Sequence, residues 1–150
     1  MIRVAAAMFV MSALMMPAPA GAQHLERVNP PGLGMPQTYS HVVKAGKLLF
    51  IAGQVGADAE GTLAGPGMRE QLERVLENLK IALASQGADF SHVAKITVFV
   101  TSVEEYRAPG LAELRAKYFG AHRPASTLVQ ITRLANPAYK VEIEAVAALP

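Results

Sequence analysis

Residues 140–147, KVEIEAVA, constrain the fold more than any other part of the chain. Every second residue is apolar, and the residues between them are Lys140, Glu142, Glu144 and Val146. Successive side chains of a β-strand point to opposite faces of a sheet, so this pattern predicts a strand with one buried and one charged face. Burying an ammonium group and two carboxylates is costly. The charged face should therefore meet water, a partner subunit or a ligand, and we expect function there.

Two segments have apolar residues at the spacing of amphipathic helices. The first covers residues 68–83, and Gly87 provides its C-terminal stop. The second starts near Ser102, which forms a capping-box pattern with Glu105, and ends at Gly120. Both helices are expected to cover the same face of one sheet.

The remaining segments predict further strands. Residues 39–43 and 48–52 read as a hairpin joined by residues 44–47, and residues 93–101 and 122–131 carry two more strands. The Pro- and Gly-rich residues 23–38 suggest an extended arm. The element order is β-β-α-β-α-β-β, an α+β fold whose uncovered face is expected to pack against other copies in a cyclic homo-oligomer.

The N-terminal 22 residues have the pattern of a secretory signal peptide. Arg3 precedes an apolar run, and the small residues Ala20-Gly21-Ala22 form an A-x-A-like cleavage site. We therefore expect a mature domain of residues 23–150. It should be periplasmic or secreted, and it should have no stable membrane anchoring once the signal is removed. A retained N-terminal anchor is the alternative, although the apolar run is shorter than the roughly 20 residues that span a bilayer.

The charge and motif content excludes several classes of site. Without Arg3, 13 basic side chains face 12 acidic ones, which gives no electrostatic case for nucleic acid. The chain has no Cys, its four His residues have no metal-ligand spacing, and no phosphate-binding loop is present. We expect neither a metal nor a cofactor. Glu142 and Glu144 share a face, so one could raise the pKa of the other for proton transfer, or Lys140 and solvent could satisfy both.

Several ordered blocks resemble one known family. They are residues 49–55 (LFIAGQV), 93–101 (VAKITVFVT), 123–125 (RPA) and 141–147 (VEIEAVA), and together they are similar to the RidA/YjgF family. The resemblance implies a chorismate-mutase-like α+β fold and a homotrimer with small-molecule clefts between subunits. It also implies cofactor-free hydrolysis of reactive 2-enamine and 2-imine acids to 2-keto acids and ammonia.

The resemblance also implies roles for individual residues. Glu142 matches the glutamate that positions water, while Tyr39, Gly53 and Gln54 match residues that line the ligand cleft. Ser126 stands where the deaminases have the arginine that clamps the substrate carboxylate, and a serine hydroxyl lacks its charged fork. Arg123 is three residues away and of opposite strand parity, so it is not expected to replace that arginine.

These features describe an exported member of the branch of the family that lacks the clamping arginine. We expect its clefts to act on or bind a small metabolite, and any hydrolytic deamination would involve Glu142. The alternative is a non-catalytic small-ligand-binding or holdase-like trimer. Ribonuclease activity, a label carried by some relatives, is disfavoured by the export signal and the near-neutral charge.

Overall fold

A computed structural model describes residues 24–150, which form a six-stranded sheet with helices on one face. The strands are β1 (Leu25–Val28), β2 (Val42–Ala45), β3 (Leu48–Val55), β4 (Val93–Val100), β5 (Ala125–Gln130) and β6 (Val141–Ala148). The helices are α1 (Met68–Ala84), α2 (Val103–Tyr106) and α3 (Leu111–Phe119), and Phe90–His92 forms a short 3₁₀ turn. The predicted α+β class is confirmed. The predicted signal peptide, residues 1–22, lies outside the described residues.

Strand β6, which carries the alternating pattern of residues 140–147, lies in the middle of the sheet. The spatial order is β1-β2-β3-β6-β4-β5, with β6 antiparallel to both β3 and β4 and with β4 parallel to β5. The alternating pattern is confirmed, because every second residue of β6 is buried in the core beneath the helices. These four residues are Val141, Ile143, Ala145 and Ala147. The glutamates between them point to the opposite face.

The predicted arm contains a strand that the sequence analysis missed. Strand β1 pairs antiparallel with β2, and the Lys44 ammonium lies 3.8 Å from the Glu26 carboxylate across this pair. Just beyond β1, Asn29 Oδ1 accepts a hydrogen bond from the His41 backbone N–H at 2.9 Å. Charges rather than alternating apolar residues mark this edge strand, which is why periodicity did not reveal it.

Two predicted connections differ in detail. The β2–β3 hairpin has a loop of two residues, Gly46 and Lys47, with Gly46 at φ 60°, rather than the four expected. The predicted second helix is two pieces, α2 and α3, separated at Gly110, which has φ 83°. Ser102 caps α2 as predicted, since its hydroxyl accepts the Glu105 N–H at 3.1 Å.

A buried amide fastens α1 to the loops around it. Gln71 is fully buried, and its Nε2 donates to the Gly65 and Ala138 carbonyls at 3.0 and 2.9 Å. Its Oε1 accepts the Lys140 N–H at 2.8 Å, directly before β6. These bonds provide partners for three backbone groups, and they fix where β6 begins. No helix within residues 24–150 has the length and apolarity needed to cross a membrane.

Candidate functional site

The sheet face turned away from the helices, here called the open face, combines apolar and charged side chains. It is formed by Leu48, Phe50, Lys95, Thr97, Phe99, Thr127, Val129, Glu142, Glu144 and Val146. Phe50 is 45% exposed, and Val129 and Leu48 are also exposed. Lys95 Nζ donates to Thr97 Oγ1 at 3.2 Å, so this cation is held within the face. Such a mixed surface is typical of an interaction or ligand-binding surface.

A bulge in β3 brings Gly53 against the glutamate predicted to be catalytic. Ile51 pairs with Ala145 and Gln54 with Ile143, so β3 contains one extra residue over this interval. A β-carbon on Gly53 would overlap Glu142 Oε1 and would lie 2.7 Å from Cδ. The Glu142 carboxylate therefore occupies the space that a side chain would fill. The bulge and this close approach thus occur at the same glycine.

The environment of Glu142 favours its protonated form. Partial burial of the carboxyl raises its pKa, and repulsion from the Glu144 carboxylate raises it further. Lys140 does not neutralise the pair, because its Nζ lies 2.7 Å from the Glu105 carboxylate instead. Of the alternative in which Lys140 and solvent satisfy both glutamates, only the solvent part remains, because Glu144 is exposed. Within residues 24–150, Glu142 has no cationic partner, and its carboxyl can exchange a proton closer to neutral pH than an ordinary glutamate can.

Three of the predicted ligand-binding residues line one cleft of about 330 Å³, here called the Tyr39 cleft. Its walls include Tyr39, Gly53, Gln54 and His41. The segment predicted to be an extended arm contributes residues 33–36. Because Gly53 also contacts Glu142, the cleft adjoins the candidate catalytic carboxyl. The Tyr39 ring packs edge-on against the His41 ring, with centroids 5.5 Å apart.

Hydrogen bonds fix the orientation of the Gln54 amide. Gln54 is only 2% exposed, and its Nε2 donates to the Ala52 carbonyl at 2.9 Å and to His41 Nδ1 at 3.2 Å. His41 Nε2 lies 2.7 Å from the Gly34 carbonyl, which can only accept. In this arrangement His41 donates from Nε2 to Gly34 and accepts from Gln54 at Nδ1. Among residues 24–150 the Gln54 Oε1 atom has no hydrogen-bond donor.

Sequence analysis missed the residues that support this cleft. Asn78 is buried, and its Nδ2 donates to the Val55 and Ala57 carbonyls at 3.1 and 2.9 Å, which holds the end of β3 against α1. Asn78 lies seven residues after Gln71, on the same apolar stripe of the helix. Two amides at buried positions of an amphipathic helix are the signal that could have identified them, because buried polar groups require partners.

The fifth predicted site residue is not brought to the other four within one chain. Ser126 pairs in register with Ile96, whose side chain is buried on the helix side, so Ser126 faces that side as well. It lines a separate pocket of about 360 Å³ between β5 and α3, here called the edge pocket. Glu142 points to the open face. One chain therefore places Ser126 and Glu142 on opposite faces of its sheet.

The part of the chain from 24 to 150 contains no cluster of three or more His, Asp or Glu side chains placed to hold a metal ion. The described residues place a carboxyl group, that of Glu142, beside the Tyr39 cleft. This arrangement can activate a water molecule or move a proton to or from a bound ligand.

Comparison with known proteins agrees with this architecture. Residues 33–149 match the family model described as Endoribonuclease L-PSP. The protein DfrA of Myxococcus xanthus is 38% identical over 75% of this chain and 84% of its own. The human 2-iminobutanoate/2-iminopropanoate deaminase is 32% identical over 73% of this chain and 78% of its own. The crystal structure of RidA from an Antarctic Psychrobacter superposes with a TM-score of 0.70 at 30% identity, covering 78% of this chain and 93% of that one. The chain therefore belongs to the RidA/YjgF family.

Proposed function

We propose that this protein hydrolyses reactive enamine or imine compounds without a cofactor, with Glu142 as the proton-transferring group. The observation that carries the proposal is the half-buried Glu142 carboxyl, which lies against Gly53 beside the Tyr39 cleft and has a raised pKa. Relatives with deaminase names, including the human protein, support this reaction class.

The reaction needs a base, a water molecule and a proton donor. Glu142 takes a proton from water as the oxygen adds to the carbon of the C=N bond, and it returns a proton to the nitrogen. The adduct then expels ammonia, and its carbon becomes a carbonyl. One imine and one water thus give one ketone and one ammonia. No electrons are transferred, so the residues of the chain suffice.

We further propose that the active form is a homotrimer with its ligand clefts between subunits. The exposed apolar side chains of the open face, such as Phe50, support burial against another copy. The opposite orientations of Ser126 and Glu142 support it as well, because these two residues can share a cleft only if it is formed by two chains.

The proposed location is the periplasm or the extracellular space, with the signal peptide removed after Ala22. Support comes from the pattern of residues 1–22 alone. Mass spectrometry of protein recovered from a periplasmic extract tests it, and an intact N-terminus found only in the cytoplasmic fraction contradicts it.

The second candidate is a trimer that binds a small ligand without turning it over. Ser126 favours it, because a hydroxyl cannot form the bidentate charged contact that an arginine provides to a carboxylate. Both candidates bind small molecules. RNA is not the proposed substrate, because the chain carries a near-neutral charge, and the purified protein is expected to leave an RNA transcript intact.

Ammonia release from 2-imino acids, generated in situ by an amino-acid oxidase, separates the two candidates. The purified protein should accelerate release over the spontaneous rate, and Glu142→Gln should remove most of the acceleration, about 10²-fold or more. Glu113→Gln, at an exposed glutamate on α3, is the matched control and should retain full activity. Acceleration that survives Glu142→Gln contradicts the role of Glu142, and no acceleration by the unmodified protein favours the binding trimer.

A further inference from the structure

The edge pocket has a composition that the proposed reaction does not explain. Helix α3 turns Ala112, Arg115, Ala116 and Phe119 toward β5, at the i, i+3, i+4, i+7 spacing of one helix face. Ser126 closes the pocket from the strand side. The small side chains along this stripe leave room around the Arg115 guanidinium.

Arg115 is held in place by its contacts with Tyr106. Its Cζ lies 4.4 Å from the centroid of the Tyr106 ring, and its Nη1 donates to the Tyr106 carbonyl at 3.2 Å. Tyr106 is itself buried, so the guanidinium stacks on a fixed surface. This arrangement orients the planar group before any ligand arrives, which lowers the entropy that binding must cost.

A second arginine reaches the same pocket. Arg123 lines it beside Ser126, and its Nη1 donates to the Gly120 carbonyl at 3.1 Å. Arg123 does not follow the side-chain alternation of β5, because the strand begins at Ala125 and residue 123 precedes it.

These two guanidinium groups have no acidic partner. Within residues 24–150, neither Arg115 nor Arg123 lies within 4 Å of a carboxylate oxygen, and no Asp or Glu lines the pocket. Each guanidinium uses one of its five N–H donors on the backbone carbonyl already described, so most of the donors remain available. Two positive charges with available donors around one cavity provide the chemistry that binds anions.

We propose that the edge pocket binds a small dicarboxylate, with Arg115 and Arg123 as its anchors. Two guanidinium groups match two carboxylates in charge and in bidentate geometry, and about 360 Å³ accommodates a four- or five-carbon acid. The absence of an arginine at position 126 is thereby compensated by one arginine from α3 and one from the segment before β5. This inference rests on the proposed function, because it names the class of acid that the protein handles.

Calorimetric titration with succinate and with butyrate tests the assignment, since both have four carbons and differ in one carboxylate. Succinate should bind at least ten times more tightly than butyrate. Arg123→Gln should weaken succinate at least tenfold, and so should Arg115→Lys, which keeps a positive charge but lacks the planar fork. Arg74→Gln is the control, because Arg74 lies on α1 among three glutamates and should leave binding unchanged.

Equal affinity for the two acids, no binding of either, or full succinate affinity in both pocket variants would overturn the assignment. The ammonia-release assay on the same variants keeps this result separate from the proposed reaction. Succinate binding that depends on both arginines, in a protein without turnover, supports the edge pocket and refutes the hydrolase. Turnover that is unchanged in Arg115→Lys and Arg123→Gln, together with no succinate binding, supports the hydrolase and refutes the edge pocket as a dicarboxylate site.

Discussion

Substituting Gly53 by alanine should separate catalysis from folding. The new β-carbon would overlap Glu142 Oε1 and would lie 2.7 and 2.9 Å from its Cδ and Cγ, so the whole end of the glutamate must move. The backbone at Gly53 is compatible with alanine, because this residue is not among those with positive φ. The substitution therefore acts on the carboxylate and leaves the chain path of β3 unchanged.

The substitution should affect the reaction rate much more than the free energy of unfolding. The carboxylate must shift by about 1 Å to clear the methyl group, and a misplacement of that size costs about 10²-fold in rate, or about 2.7 kcal/mol of transition-state stabilisation. Folding gains about 0.4–1 kcal/mol from the smaller entropy of the unfolded chain, and displacing the glutamate offsets part of this. The free energy of unfolding should thus change by less than about 1 kcal/mol.

The assay is ammonia release from 2-imino acids, combined with chemical denaturation of the same samples. Gly53→Ala should lose about 10²-fold in kcat/KM, while the denaturation midpoint stays close to that of the unmodified protein. In a Glu142→Gln background, Gly53→Ala should reduce the rate no further, because the displaced group is already inactive. Activity within twofold of the unmodified protein, or a full additional loss in the double variant, would refute the reasoning.

Three further predictions concern stability and assembly. Burial raises the pKa of Glu142 above its ordinary 4.5, so the native state binds this proton more readily than the unfolded state does. Glu142→Gln should therefore raise the melting temperature at pH 7. The gain should disappear as the pH falls below about 4.5, where the glutamate is protonated in both states. A gain that persists at low pH would contradict this sign. Gln71→Leu removes the side-chain partner of three backbone groups and should cost about 2–4 kcal/mol in urea denaturation, whereas the same change at Gln86, whose hydrogen bond is exposed, should cost less than about 0.5 kcal/mol. Phe50→Lys on the open face should give a monomeric mass by light scattering. Ala84→Lys, on the exposed side of α1, is the control and should leave the trimer intact. Trimers in both variants would exclude the open face from the interface.

The sequence predicted the central part of the fold well because its periodicity is produced by burial. Strand β6 alternates cleanly since one face packs under α1 and the other does not, and α1 repeats at helical spacing for the same reason. Strand β1 escaped notice because an edge strand with a Lys44–Glu26 pair needs no apolar alternation. Sequence periodicity arises from burial, so elements without a buried face show little periodicity.

The candidate site was only partly predictable. Resemblance placed Tyr39, Gly53 and Gln54 together, and the structure places them on one cleft. It did not indicate the edge pocket, because Arg115 and Arg123 are eight residues apart and meet only through the packing of α3 on β5. Long-range packing of this kind has no counterpart in local sequence spacing.

Strand β6 has a consequence for how this scaffold can diverge. Its odd-numbered residues hold the domain together, while its even-numbered residues are free to change the chemistry of the open face. A substitution at position 142 alters acidity and reactivity without removing any atom from the core beneath it. Residues that stabilise the core and residues that set the chemistry of the open face therefore alternate along a single strand, so the second set can change while the architecture is retained.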